Sequence, residues 1–129
     1  MSETRTIPVI AVVDDDKSVR ESLAEFMESG GYDVALFSSA EEFLDSGCHR
    51  GSLQCMILDV RLPGMSGLEL FSQLTVSRQS LPTIFITAHA DAAVAGCATK
   101  PGVVSVLYKP FRPAALLKAV RSALTRSRP

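Results

Sequence analysis

The chain has 129 residues, 47% hydrophobic and 21% charged, which suits one compact domain with a buried core and leaves little room for a second. Its 13 basic and 14 acidic residues leave a net charge of −1, so there is no electrostatic footprint for nucleic acid. No apolar run approaches the roughly 18 residues of a membrane span, and the first residues lack the long apolar segment of a secretory signal.

Residues 1–6 read as a flexible leader. Val9-Ile10-Ala11-Val12-Val13 is a buried strand that ends in Asp14-Asp15-Asp16. Ser18 with Glu21 fits a capping box at the start of a helix, and Val19, Leu23, Phe26 and Met27 share its apolar face. Gly30 and Gly31 end it. Tyr32 to Phe37 is a second strand, whose partial alternation points to a sheet edge. Ser39 with Glu42 repeats the capping-box pattern before a helix that carries Phe43 and Leu44. Residues 47–54 form a polar connection.

Cys55-Met56-Ile57-Leu58-Asp59 follows, four apolar residues ending in one carboxylate, with the turn-rich Val60-Arg61-Leu62-Pro63-Gly64-Met65-Ser66-Gly67 after it. That pattern predicts a strand buried on both faces with Asp59 at its carboxyl end. A helix over residues 67–75 carries Leu68, Phe71 and Leu74. Leu81 to Ile86 is a fourth strand ending at Thr87, and residues 91–98 form a weak helix interrupted by Gly96. Val103 to Tyr108 is the fifth strand, ending at Lys109-Pro110. Pro113 suits the first turn of a last helix with Leu116, Leu117, Val120 and Leu124 on its apolar face. Arg121, Arg126 and Arg128 lie near its end, where cations suit the dipole. Cys48, Cys55 and Cys97 are odd in number and lack CxxC spacing, which fits free thiols of a cytoplasmic protein better than disulfides or zinc.

Strand and helix alternate five times, which argues a parallel sheet with helices on both faces. Such a sheet brings Asp14, Asp15, Asp59, Thr87 and Lys109 to one edge, the edge where open α/β sheets bind ligands. Crowded carboxylates repel unless a cation joins them, and their hard oxygens suit Mg²⁺ or Mn²⁺. Asp59 is then the nucleophile that accepts a phosphoryl group as an acyl phosphate. Lys109 is a point charge for the phosphoryl oxygens, and Thr87 offers a hydroxyl donor.

Four segments in this order carry a resemblance: Val13-Asp14-Asp15-Asp16, Leu58 to Gly67, Ile86-Thr87-Ala88 and Tyr108-Lys109-Pro110-Phe111. The chain resembles the receiver domain of two-component response regulators over nearly its whole length. Its triple Asp and LPGMSGLEL are most similar to receivers joined to LuxR-type helix-turn-helix outputs. The resemblance implies a flavodoxin-like (βα)5 sandwich with strand order 2-1-3-4-5, spanning residues 7–126 between flexible termini at 1–6 and 127–129. It implies Asp14, Asp15, Asp59 and the backbone carbonyl of Arg61 as metal ligands, with Asp59 as phosphoacceptor. Thr87, Ala88 and Lys109 bind the phosphoryl group, and Lys109–Pro110 is a cis peptide. Phosphate comes from a sensor histidine kinase or a histidine phosphotransfer protein. The protein is then no enzyme beyond its own phosphorylation and dephosphorylation, and it signals to a downstream output protein or domain. A phosphorylation-dependent dimer is left open, while nucleic acid and membrane are not expected as direct partners.

One departure concerns the switch. The family usually carries Tyr or Phe three residues before the lysine, and Val106 stands there. A switch driven by Thr87 and the loop after it, without a ring flip, is the expectation.

Each residue also has a plainer reading. The three aspartates could be a solvated helix cap, Thr87 a strand terminus, and Lys109 a surface charge. His89 and Arg61 are candidates for tuning dephosphorylation or simply solvated loop residues. Phe111 reads as packing and the terminal arginines as a solvated end. Two other functions compete: a degenerate receiver acting as a constitutive scaffold, and an aspartyl-phosphate hydrolase of the haloacid dehalogenase type. The latter needs an acid where Arg61 stands.

Overall fold

The computed structural model describes residues 9–47, 53–90 and 92–126. The expectations for the terminal segments, Cys48, Asp91 and Arg128 lie outside them. Among the described residues ten elements alternate: β1 (Val9–Val13), α1 (Lys17–Ser29), β2 (Asp33–Phe37), α2 (Ala40–Ser46), β3 (Leu53–Asp59), α3 (Gly67–Val76), β4 (Thr83–Thr87), α4 (Ala92–Cys97), β5 (Val103–Tyr108) and α5 (Pro113–Arg126). The five strands form one sheet in the order β2-β1-β3-β4-β5, and all pairs are parallel. This is the expected order, with β2 at an edge.

The period of two along each strand sorts the core into two layers. Ile10, Val12, Cys55, Ile57, Ile84 and Ile86 face α1 and α5, meeting Leu23, Met27, Leu116 and Val120. Ala11, Val13, Met56, Leu58 and Phe85 face α2, α3 and α4, meeting Phe43, Leu70, Phe71, Leu74 and Val94. Edge-to-face ring pairs lock the second layer, among them Phe37 with Phe43 at 5.2 Å and Phe71 with Phe85 at 5.4 Å between centroids. Such pairs add about 0.5–1.5 kcal/mol beyond area burial. Leu70, fully buried, belongs to the face of α3 together with the expected Phe71 and Leu74.

Local details differ from the sequence reading at several ends. The cap of α1 is Asp16, not Ser18: its Oδ1 accepts from the Ser18 and Val19 amides at 2.8 and 3.3 Å. Asp16 stands one position before the helix and takes those amides, while Glu21 pairs with Lys17 at 3.9 Å along the exposed face. The second Ser–Glu pattern is half realised: Ser39 accepts from the Glu42 amide, while the Glu42 carboxylate turns to Ser38. The full capping box lies at Ser66 and Glu69, before α3. Strand β3 begins at Leu53, two residues earlier than expected, because buried Leu53 pairs with Val9. Tyr32 stays out of β2: its amide donates to the Met27 carbonyl and closes α1. Leu81 and Pro82 precede β4, and α4 stops at Cys97, one residue short of the expected end.

Candidate functional site

Strand register assembles the site. Val13 lies opposite Leu58, so Asp14 and Asp59 emerge from neighbouring strands at the same level. Asp59 pairs with Ile86, which puts Thr87 one step beyond it, and Thr87 pairs with Tyr108, which delivers Lys109. The connections are tied by backbone bonds: Val60 donates to Ile86, and Lys109 to Thr87 at 2.8 Å.

At this edge Asp14 is fully buried, Asp59 is 6% exposed, and Asp15 is exposed. The Lys109 Nζ donates to Asp14 Oδ2 at 2.9 Å and to Asp59 Oδ2 at 3.1 Å. The other oxygen of each buried acid takes a local amide: Asp16 N–H on Asp14 at 2.8 Å and Arg61 N–H on Asp59 at 2.9 Å. From α1, Arg20 Nη1 donates to the Asp14 carbonyl at 2.8 Å. Glycine at position 67 is obligatory, because a Cβ there would collide with the Asp59 carbonyl oxygen. The Lys109–Pro110 peptide is cis.

Electrostatics follow from this crowding. Burial pushes the Asp59 carboxyl above its ordinary range; the Arg61 amide opposes that, the Asp14 charge adds to it, and Lys109 only partly offsets it. Burial works against the Lys109 ammonium, yet its hydrogen bond to Asp14 and the Asp59 and Asp14 charges prevail and hold its pKa above the ordinary value.

Carboxylate oxygens of Asp14, Asp15 and Asp59 lie within 4.8 Å of one another. An octahedral Mg²⁺ with bonds of roughly 2.0 to 2.1 Å needs only a modest contraction of that cluster, and all three donors are hard oxygens. The residues present therefore fit such an ion.

Thr87 is fully buried, and its hydroxyl is engaged. Oγ1 accepts from the His89 amide at 3.1 Å and lies 3.2 Å from the His89 carbonyl, to which it can donate. Ala88, His89 and Arg61 are exposed around the opening. Val106, half-buried, packs into the layer that holds Phe85, while Tyr108 is 46% exposed. Phe111 packs, half-buried, against the layer of α1 and α5. Two residues of the site escaped the sequence reading: Arg20, whose reach to the Asp14 carbonyl spans a helical turn, and Glu41, which meets the loop after Asp59 from another helix. Neither sits in a motif of its own.

The family described as response regulator receiver domain matches residues 10–121. The chain belongs to this family. The transcriptional regulatory protein FixJ of Azorhizobium caulinodans is 45% identical over 120 residues, covering 92% of this chain and 56% of that protein. The response regulator protein TodT of Pseudomonas putida is 45% identical over 116 residues, covering 90% and 51%. The receiver domain thus spans about half the length of the curated relatives it matches. Among solved structures, FixJ-N superposes with a TM-score of 0.82 at 33% identity, covering 94% of this receiver and 96% of that chain. A receiver domain from Methanospirillum hungatei, described as CheY-like, gives 0.84 at 25% identity, covering 95% and 97%. The fold is the CheY-like, flavodoxin-like receiver fold, and this receiver is a two-component response regulator module. Among the described residues, no helix is long and apolar enough to cross a membrane.

Proposed function

We propose that Asp59 accepts a phosphoryl group from a phosphohistidine on a sensor kinase or phosphotransfer protein, and that the modified domain switches its affinity for an output partner. The observation that carries this is the lysine between two buried carboxylates, Lys109 to Asp14 and Asp59 at 2.9 and 3.1 Å. A structural ion pair needs one acid per lysine. Here a second buried acid remains, held at a strand end where a substrate can reach it.

Asp59 is the nucleophile: its carboxylate oxygen bonds to phosphorus as the donor's P–N bond breaks, and the electron pair leaves with the imidazole nitrogen. The nucleophile must be ionised, and the Lys109 ammonium at 3.1 Å supplies the opposite charge that favours that form. Once the phosphoryl group is in place, Lys109 shifts from the carboxylates to its oxygens as a point charge. When bound by Asp14, Asp15, Asp59 and the Arg61 carbonyl, Mg²⁺ or Mn²⁺ supplies charge neutralisation for the phosphoryl oxygens. Ala88 adds its backbone at the same edge. Hydrolysis by water ends the signal, with Arg61 and His89 flanking the route of approach.

Thr87 provides the readout. Its hydroxyl must leave the His89 backbone to reach a phosphoryl oxygen, and that exchange remodels the loop into α4. Val106 has no ring to flip, so the change runs along the chain from Thr87. The domain comprises residues 7–126 in a cytoplasmic regulator, with an output of the LuxR type supplied beyond it or by another protein. Phosphorylation adds about one and a half to two negative charges, enough to bias two states that differ in affinity for them.

Intact mass after incubation with acetyl phosphate and Mg²⁺ tests the chemistry. Wild type should gain one phosphoryl group and Asp59→Asn none; labelling of the Asn variant, or no labelling of wild type, would overturn the reading. Amide spectra test the switch. Phosphorylation should move resonances from Ala92 to Tyr108, and identical spectra of the two forms would rule out the Thr87 route.

A further inference from the structure

The loop over residues 60–66 is fixed at its base by Asp59. The Arg61 amide donates to the carboxylate at 2.9 Å, and the Gly67 amide returns to the Val60 carbonyl at 2.9 Å. Its tip is held by a different element. Gly64 turns the chain with φ of +75°, a conformation side chains disfavour, and the turn presents the Met65 amide to Glu41 Oε2 at 2.8 Å. A Cβ on Gly64 would come within 2.6 Å of that same oxygen, so the carboxylate and the turn are fitted to one another.

Glu41 stands on a firm post. It lies in the first turn of α2, where a carboxylate complements the helix dipole. Ala40 and Phe43 on either side of it are fully buried, and Ser39 caps the helix. Its neighbour Glu42 is spent on Ser38, at 2.6 Å to the amide and 3.0 Å to the hydroxyl. Glu41 is therefore the acid that bridges outwards, across 24 positions of sequence. The Met65 amide holds its carboxyl below the ordinary range.

We propose that Glu41 is a positioning residue for the phosphorylation site: by clamping the tip of the loop after Asp59 it fixes the backbone at Arg61. The inference rests on the phosphoacceptor reading, since that backbone matters only if Arg61 contributes its carbonyl to the ion beside Asp59. With the tip released, the loop stays anchored at Asp59 and Gly67 but its middle gains freedom. The ion then binds a less ordered donor set and its apparent affinity falls.

The test compares Glu41→Ala with Glu41→Gln, whose amide oxygen can still accept from Met65. Solvent exchange of the Met65 amide is read by NMR on metal-free protein. The Mg²⁺ concentration giving half-maximal labelling of Asp59 by phosphoramidate is read by mass. In Glu41→Ala, Met65 exchange should quicken about five- to tenfold, the worth of one hydrogen bond. Half-maximal labelling should need several-fold more Mg²⁺, and labelling should recover at saturation. Glu41→Gln should match wild type in both. Unchanged Met65 exchange in Glu41→Ala would show that no clamp exists. Faster exchange with an unchanged Mg²⁺ requirement would make the clamp purely structural, and a Gln variant as impaired as Ala would remove the hydrogen bond from the account. Each of these overturns the proposal. Failure of wild type to label would instead overturn the phosphoacceptor reading, and the exchange arm would still decide the clamp.

Discussion

The two flanks of the carboxyl edge are built to different standards. On the β1–β3–β4 side, β4 is buried along its whole length, and Asp14 and Asp59 each take a backbone amide and the Lys109 ammonium. On the β5 side, five of the six strand residues are half-buried or exposed. The neighbouring α4 has only six residues, against a length of thirteen for α1. A helix that short holds only by its packing. Phosphoryl chemistry needs charges at fixed separations. A readout needs an element that changes shape at low free energy. On the reading proposed above, this receiver divides those tasks between the two flanks.

Core truncation should expose the contrast most strongly. Phe85 is fully buried on β4 and rings with Phe71, so Phe85→Ala should lower stability by about 3–5 kcal/mol. Val106→Ala, on half-buried β5, should lower it by about 1 kcal/mol. Urea unfolding of both variants measures the ratio. Equal losses would mean that β5 is as tightly packed as β4 and that the contrast is false.

Removing a charge from the rigid flank should do the opposite. The Asp59 carboxyl titrates above its ordinary value because burial and Asp14 disfavour its charge. An acid with a raised folded-state pKa supports folding fully below its unfolded value of about 3.9 and loses that contribution as pH rises through the folded value. Asp59→Asn is spared this loss, and Lys109 keeps Asp14 as its partner. The variant should match wild type near pH 3 and exceed it at pH 7, with the higher melting temperature there. Adding Mg²⁺ should raise wild type more than the variant, and chelation should restore the gap. A variant less stable than wild type at pH 7 without Mg²⁺ would show that Asp59 is held by attraction rather than under repulsion.

The rigid flank was also the more legible one. Apolar runs that give way to polar residues fix strand ends, and strand ends fix which side chains meet, so Asp14, Asp59 and Thr87 could be brought to one edge from sequence alone, with Lys109 joining them from the end of β5. What stayed hidden depends on a competition or on distance. Asp16 takes the cap amides of α1, the role read for Ser18, because it stands two residues earlier, immediately before the helix starts at Lys17. Leu53 joins β3 because it finds Val9 across the sheet, which no local pattern announces. Arg20 and Glu41 reach backbone groups, and backbone acceptors and donors leave no mark in a sequence. The hydroxyl of Thr87 was legible as a donor, but its engagement with His89 was not.

Cys55 and Cys97 allow the smallest and most direct comparison, since one lies on each flank. Cys55 sits in the middle of β3, fully buried, and burial pushes its thiol up to about 12. At pH 8 only about one such thiol in ten thousand is ionised, so alkylation requires opening of the structure. Cys97 ends α4; it is 1% exposed, burial raises its pKa too, and its thiol donates to the Val94 carbonyl at 3.1 Å. The static structure therefore shields both. Their opening should differ: β3 is the central strand of the sheet, whereas α4 has only six residues and is expected to open at lower cost. In a Cys48→Ser background under native conditions, iodoacetamide should modify Cys97 at least about tenfold faster than Cys55, as a local opening cheaper by about 1.4 kcal/mol requires. Equal rates, both tracking global unfolding, would mean that α4 moves only with the core and that the division between a fixed flank and a mobile one fails at its mobile end.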